Sequence, residues 1–450
     1  MSKWSRTAVA AIAMLAMATP GLTQEAAKKD EVFKATTAIP PLDGRIKAFD
    51  ISYVDSVLHL YVLGDRTNKA VDVVPTTTNT MTKQLTATPP FAGVAATCGS
   101  GNVNDCSGPD GVLILRTKEN ADGLNEVWAG DGDSTVKVID LASGATEHVI
   151  STAAPFCAST NTCFRADEMC FDPRDSLIMA ANNAANPPYA TLISTSDYKV
   201  KGQIKFDGTN GAPNSNNGAE QCQWSPVIGK FLISIPGIVG GIKGGGGVAV
   251  IDPKTMKVEK THLVSGDVCI APQGMAIGPN NQVLLGCNGA SGNGKGSTVI
   301  INVHSGSVIA VLDNQSGSDE VWFNPDDGHY FLARSSALGA FQQLGVVDAR
   351  GHREDQSVPT VPTTPAPPAA NTNPGNVHSV AADFVNGQVQ VYVPIPGNNP
   401  GTAQAGTVCS SAGGSDIAGC IAVFTTKKDD RIKSSREHGE DGNDQGENER

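Results

Sequence analysis

A short strand–turn–strand unit recurs along this chain, and no other feature limits its fold as tightly. The clearest copy is Ser318-Asp319-Glu320-Val321-Trp322-Phe323-Asn324-Pro325-Asp326-Asp327-Gly328-His329-Tyr330-Phe331-Leu332: an acidic entry, an apolar strand, an Asn-Pro/Asp-Gly turn and a second strand. Three further copies carry the same plan. Ala166-Asp167-Glu168-Met169-Cys170-Phe171-Asp172-Pro173 leads into Ser176-Leu177-Ile178-Met179. Ala219-Glu220-Gln221-Cys222-Gln223-Trp224-Ser225-Pro226 leads into Lys230-Phe231-Leu232-Ile233, and Pro272-Gln273-Gly274-Met275-Ala276-Ile277-Gly278-Pro279 into Gln282-Val283-Leu284-Leu285. Self-similarity at a spacing of about fifty residues marks a repeat architecture, whose units share one continuous core. Pro and Gly fall where a hairpin must reverse.

Reading outward from these copies gives seven units. The first runs from about Ile46 and the second opens at Gly108-Pro109-Asp110-Gly111. The third to sixth start near Asp167, Glu220, Gln273 and Asp319, and the seventh at Asn376-Val377-His378. Aromatics make up only 5% of the chain while Gly numbers 49 and Pro 27, which suits many short strands joined by turns. Seven units of four strands predict an all-β, seven-bladed β-propeller over 45–426, with six blades the alternative if one copy is miscounted. The seventh unit is one strand short, because nothing strand-like follows Ala422-Val423-Phe424-Thr425-Thr426. A spare alternating stretch at 31–39, within a leader at 25–44, is expected to supply the outer strand of the last blade and remove an open sheet edge. The Pro-rich run at 358–375 reads as an extended loop, and the charged, Gly/Asn-rich stretch 427–450 as a disordered tail.

Lys3 and Arg6 precede an apolar run from Ala8 to Ala18 with a small-residue cleavage site, so residues 1–24 read as a signal peptide of a bacterial periplasmic or secreted protein. That run is too short to span a bilayer, and no other segment is apolar enough to do so. Ten cysteines agree with an oxidising compartment. Their number leaves many pairings open. Spacing favours Cys98–Cys106, Cys157–Cys163 and Cys409–Cys420 as short-loop staples, with Cys170–Cys222 joining neighbouring units and Cys269–Cys287 within one. No CxxC occurs, so a cysteine zinc cage has little support. A net charge of −12 and a pI near 5.1 argue against nucleic acid and agree with a cation or a neutral or cationic ligand.

Trp128-Ala129-Gly130-Asp131-Gly132-Asp133-Ser134-Thr135-Val136-Lys137-Val138-Ile139-Asp140 resembles the strand pair of YVTN-type propeller repeats. The acid-x-x-aromatic-x-Pro openings resemble those of gluconolactonase/senescence-marker-protein and strictosidine-synthase-like propellers. The resemblance covers most of 45–426 at the level of fold. It implies a metal site in the central channel, with Asn residues after second strands among the ligands; here those are Asn182, Asn183 and Asn288. The Glu-Gly-Pro opening of the gluconolactonase-like group is absent.

In a propeller the first strand of each blade lines the channel. Aligning those strands puts Asp110, Asp167, Glu220, Gln273, Asp319 and His378 in one column at the channel mouth, with Lys47 a tentative member from the first unit. Converging carboxylates repel and need a cation, shared protons or basic partners. A hard divalent ion such as Ca²⁺ suits oxygen ligands of this kind. His378 reads as a further ligand or a general base. Against this, an acid before a strand also caps a turn or bonds backbone amides. The varied residue types and the doubled acids Asp167-Glu168 and Asp319-Glu320 favour a site.

Other acids read differently. Asp140, Asp252 and Asp348, with Asn302 in the same place, end third strands and enter turns, so they are turn residues. Asp131 and Asp133 resemble part of a calcium loop without its terminal Glu. Gly244 to Gly247 has no Lys-Ser/Thr and reads as a hairpin tip. Arg334 reads as a solvated residue or an anion holder near the axis. No Gly-x-Ser-x-Gly elbow is present.

Two functions follow. In the first, Asp167, Glu220 and Asp319, helped by Asn183 and Asn288, hold a divalent ion that activates water on a small lactone or ester, with His378 or Asp110 as base. In the second, the protein is a monomeric, non-catalytic propeller whose disulfide-stapled rim loops grip a small molecule or a periplasmic protein.

Overall fold

The computed structural model describes residues 32–116, 119, 123–156, 163–290, 296–313, 317–335, 342–361, 377–398 and 406–426, with the side chains of 288–290 and 296 excepted. The expected signal peptide, most of the Pro-rich run and the charged tail lie outside these residues.

The chain enters through β1 (Lys34–Ile39). Blade 1 follows as β2 (Ser52–Asp55), β3 (Leu60–Asp65), β4 (Ala70–Pro75) and β5 (Lys83–Leu85). Blade 2 is β6 (Val112–Leu115), β7 (Glu126–Asp131), β8 (Thr135–Asp140) and β9 (Thr146–Ser151). Blade 3 is β10 (Met169–Asp172), β11 (Leu177–Asn182), β12 (Tyr189–Ser194) and β13 (Val200–Lys205). Blade 4 is β14 (Cys222–Ser225), β15 (Lys230–Ile235), β16 (Gly247–Asp252) and β17 (Lys257–Leu263). Blade 5 is β18 (Ile270–Ile277), β19 (Gln282–Ala290), β20 (Gly296–Asn302) and β21 (Val308–Asp313). Blade 6 is β22 (Ser318–Asn324), β23 (His329–Arg334), β24 (Gln343–Asp348) and β25 (Arg353–Pro359). Blade 7 comprises β26 (Ala381–Val385), β27 (Gln388–Ile395) and β28 (Cys420–Thr425).

Each blade is a four-stranded antiparallel sheet, and the last has the order β1-β28-β27-β26. The N-terminal strand therefore completes blade 7, pairing Lys34 with Thr425 and Ile39 with Ile421. The fold is a seven-bladed β-propeller, as the repeats predict. The Pro-rich run begins two residues late, because Val358 and Pro359 still belong to β25.

Second and third strands are sandwiched between neighbouring blades, which is why they read as unbroken apolar runs. β7, β11 and β12 are buried along their whole length. Outer strands carry charge instead, as in β17 and β25, and so blunt the exposed edge. In five blades a bulge separates third from fourth strand at the same place, for example at Val138/Ile139 and Val250/Ile251, adding twist at the edge. The core consists of seven apolar clusters, each filling one interface between adjacent blades. The cluster that joins blade 7 to blade 1 stacks Tyr61 on Tyr392, with ring centroids 5.0 Å apart.

Four disulfides are present among the described residues: Cys98–Cys106, Cys170–Cys222, Cys269–Cys287 and Cys409–Cys420. These are pairings favoured by spacing; the Cys157–Cys163 pair involves Cys157, outside the described residues. Such bridges suit an oxidising, extracellular-type compartment. Among the described residues, no helix is long and apolar enough to cross a membrane.

Candidate functional site at the channel mouth

The first strands of neighbouring blades approach so closely at the axis that only glycine fits at position 111. A Cβ on Gly111 would stand 2.3 Å from the carbonyl oxygen of Asp167 in the next blade. This tight approach brings the side chains just before each first strand together. Asp110, Asp167, Asp319 and His378 all join one ionic network, and Glu220 joins it through Asn183. The member from blade 1 is Asp50 and not Lys47, which is exposed. The stretch Ile46 to Tyr53 looks like one strand, but β2 starts only at Ser52, so the inward position shifts by three residues.

Two arginines hold the carboxylates. Arg66, beyond the end of β3, donates from Nε to Asp110 Oδ1 at 2.9 Å and from Nη2 to Asp50 Oδ2 at 2.5 Å. Arg165 places Nη2 2.8 Å from Asp167 Oδ2 and Nη1 3.8 Å from Asp50 Oδ2. Its Nε donates to Asn183 Oδ1 at 3.1 Å, and Asn183 Nδ2 donates to Glu220 Oε2 at 3.4 Å. His378 bridges the remaining gap, with Nε2 2.6 Å from Asp50 Oδ1 and Nδ1 3.0 Å from Asp319 Oδ2.

A second tier lies one residue further along the strands. Glu320 accepts from the Val380 amide at 2.9 Å and from Ser379 Oγ. Gln221 reaches across the ring, accepting from the Val321 amide at 3.1 Å and donating to the Val321 carbonyl at 3.3 Å. Glu168 is 4% exposed, in the same tier. Beyond it Tyr53 and Trp322 meet edge to face across the ring, with centroids 5.7 Å apart.

Seven carboxyl groups (Asp50, Asp110, Asp167, Glu168, Glu220, Asp319 and Glu320) thus share three basic groups, and the mismatch appears in their titration. Burial pushes Glu220 up to about 8, with Asp319 and Asp167 adding to it. Burial likewise raises Asp167 to about 7 against the pull of Arg165, and Glu320 to about 8 against its hydrogen bonds. Burial holds Asp110 and Glu168 well above the usual carboxylate range. Asp50 is the exception: burial would raise it, but Arg66, Arg165 and His378 together hold it low. For His378 burial would favour the neutral ring, yet Asp319 and Asp50 outweigh it and keep the imidazolium well above its ordinary range.

One oxygen from each of Asp50, Asp110 and Asp167 lies within 4.8 Å of the others, so this buried group could hold a metal ion. Asp110 Oδ2 is buried without a hydrogen-bond partner, which favours a ligand there. The rest of the donor set fits Ca²⁺ poorly. That ion takes six to eight oxygens, whereas Asp50 Oδ1 faces His378, and Asp50 Oδ2, Asp110 Oδ1 and Asp167 Oδ2 face the guanidinium groups of Arg66 and Arg165. Those cations already supply the neutralising charge and would repel a third.

The remaining candidates separate cleanly. Asn182 is buried between Thr152 and Thr191, bonded to each, and has a structural place. The side chain of Asn288 lies outside the described residues. Gln273 belongs to the same column, with its Oε1 buried and unpartnered. Asp140, Asp252, Asp348 and Asn302 each accept from turn amides two or three residues on, as expected of turn residues. Asp131 is no calcium ligand: it forms a buried ion pair with Lys137, which also donates to Pro90 O at 3.0 Å and lies over the Phe91 ring. Arg334 is neither solvated nor axial, being 3% exposed and bonded to Gln343 and Ser357 of its own blade. Gly244 to Gly246 lies in the connection between β15 and β16, and Gly247 opens β16.

Asp50, Arg66 and Arg165 were not legible as site residues. Two signals exist in retrospect: Arg165 stands two residues before a column acid, and Asp50 precedes Ile-Ser-Tyr as Asp110 precedes Gly-Val-Leu. Arg66 has none, because it arrives from the second strand.

The class defined by this fold and site is a seven-bladed propeller with a buried carboxylate–arginine–histidine cluster at one end of its channel. Comparison with protein-family models and with curated proteins returned no match.

Proposed function

We propose that the protein is an exported, non-catalytic binding propeller whose channel-mouth rim takes a small polar ligand. The observation that carries this reading is the doubly bonded His378, set among carboxylates already paired with Arg66 and Arg165. A general base needs a free lone pair, and an imidazolium held between Asp50 and Asp319 has none to offer. The disulfides support export, and the stapled insert at 98–106 supports a braced rim. In this reading the likeness to YVTN-type and gluconolactonase-like propellers is one of scaffold. Assay of the purified protein against a panel of small lactones and esters, with and without Ca²⁺, Mn²⁺ and Zn²⁺, tests it: turnover that disappears in His378→Gln would overturn it.

A second reading, a metal-assisted hydrolase of a small lactone or ester, is favoured by one observation, the convergence of Asp50, Asp110 and Asp167 around the unpartnered Asp110 Oδ2. In that case these three carboxylates would hold the ion, which would supply Lewis acidity toward a carbonyl. Glu220, raised to about 8, would then stand beside the ion as a proton-holding neighbour.

A further inference from the structure

We propose that a trough running outward from the axial cluster, between blades 3 and 4, binds a neutral, hydroxyl-rich small molecule of saccharide type. The inference rests on the binding reading above and names its class of ligand. The trough encloses about 630 Å³, within the range of small-molecule sites. Arg165 and Glu220 form its inner end, Asn186 comes from the β11–β12 loop, and Asn216 and Asn217 come from the connection into blade 4. Asp105 of the stapled insert lines it beside Arg165.

The chemistry of this lining selects by elimination. The charge of Arg165 is already engaged by Asp167 at 2.8 Å and its Nε by Asn183 at 3.1 Å, so an anion finds no open cation and meets the Asp105 carboxylate. An apolar ligand would strip water from the amides and return no hydrogen bonds, a costly exchange. Asn186, Asn216 and Asn217 are exposed. Each amide offers two donors and an acceptor, the Asp105 carboxylate only accepts, and the Glu220 carboxyl, raised to about 8, both donates and accepts. Neighbouring hydroxyl groups, which donate and accept in turn, satisfy both kinds of group.

The walls are also braced before any ligand arrives. The Arg165 amide donates to Asp105 O at 2.8 Å, and Cys98–Cys106 staples the insert behind it. Ser215 Oγ donates to Gly218 O at 2.6 Å, and the Asn216 amide to Gly237 O at 3.2 Å. Braced walls lower the ordering cost of binding.

The test is calorimetric titration of the full chain with glucose, N-acetylglucosamine, maltose and trehalose, and with glucose 6-phosphate as the anionic counterpart. At least one neutral sugar should bind, more tightly than the phosphate. The double variant Asn216→Ala/Asn217→Ala should weaken it about tenfold, the loss expected for one or two hydrogen bonds. Its unfolding midpoint should stay unchanged, and Lys254→Ala, on the β16–β17 turn, should bind as the parent does. Absence of binding by every neutral sugar at millimolar concentration overturns the proposal, as does full affinity in the double variant. Binding lost in Asp319→Asn but kept in the double variant places the ligand on the axis, which overturns the trough and leaves the binding reading standing.

Discussion

Arg66 is 5% exposed and touches both Asp50 and Asp110, so its charge is what keeps Asp50 ionised in a buried place at that end of the network. Removing one partner of such a system leaves uncompensated charge in a poorly solvated place. Arg66→Met is therefore expected to cost about 3–5 kcal/mol, read as a lower midpoint in urea denaturation; an unchanged midpoint would show that water reaches these carboxylates freely. The same residues set a pH dependence. Glu220 and Glu320 titrate near 8 and Asp167 near 7 in the fold, against ordinary values of 4.5 and 3.8. Between those limits the unfolded chain has released protons that the folded one retains, so stability falls as pH rises. His378 acts in the same direction: its raised value stabilises the fold below 6.5 and the contribution fades as pH climbs through the folded value. Asp50, held low, acts oppositely and matters only in strong acid. Melting temperature should decline from about pH 5 to about pH 8, and Glu320→Gln should flatten the decline. A rising profile over that window contradicts the assignment.

Closure of the ring lives at the level of elements. β1 brings Phe33 to a buried position against Phe331, and the backbone of Phe33 exchanges hydrogen bonds with the side chain of Gln356 on β25. One residue thus ties blade 7 to blade 6. Phe33→Ala should cost about 3–5 kcal/mol, and limited proteolysis should then cut first around β1 and β28. Cleavage elsewhere would mean that closure is not the weak point. Cys170–Cys222 joins the first strands of blades 3 and 4 over a separation of 52 residues. Replacing both by Ser should lower stability by about 2–4 kcal/mol, measurable by thermal unfolding with and without reductant.

At the scale of the whole molecule, the fold was legible because its determinants are periodic and local. Alternation and apolar third-strand runs such as Gly247–Asp252 recur from blade to blade, and Pro follows the first strand of blades 3 to 6, so the copies reinforce one reading and their count exposes the missing strand. The candidate site was half legible. The inward column from Asp110 to His378 follows from strand register, but Arg66 and Arg165 enter it from outside the register, through the end of a second strand and a preceding loop. Their effect on the chemistry is larger than that of the column itself, since they replace the cation that a ring of acids otherwise demands. Lys47 stands outside the cluster for the related reason that a long apolar-polar alternation hides where pairing begins.

Arg66 and Arg165, and not a metal ion, are expected to neutralise the acids at the channel mouth. Calorimetric titration of metal-stripped protein with Ca²⁺ tests it most directly. No binding tighter than about millimolar is expected, equivalent to roughly 4 kcal/mol. One equivalent bound at micromolar affinity or better, and lost in Asp110→Asn, would contradict it.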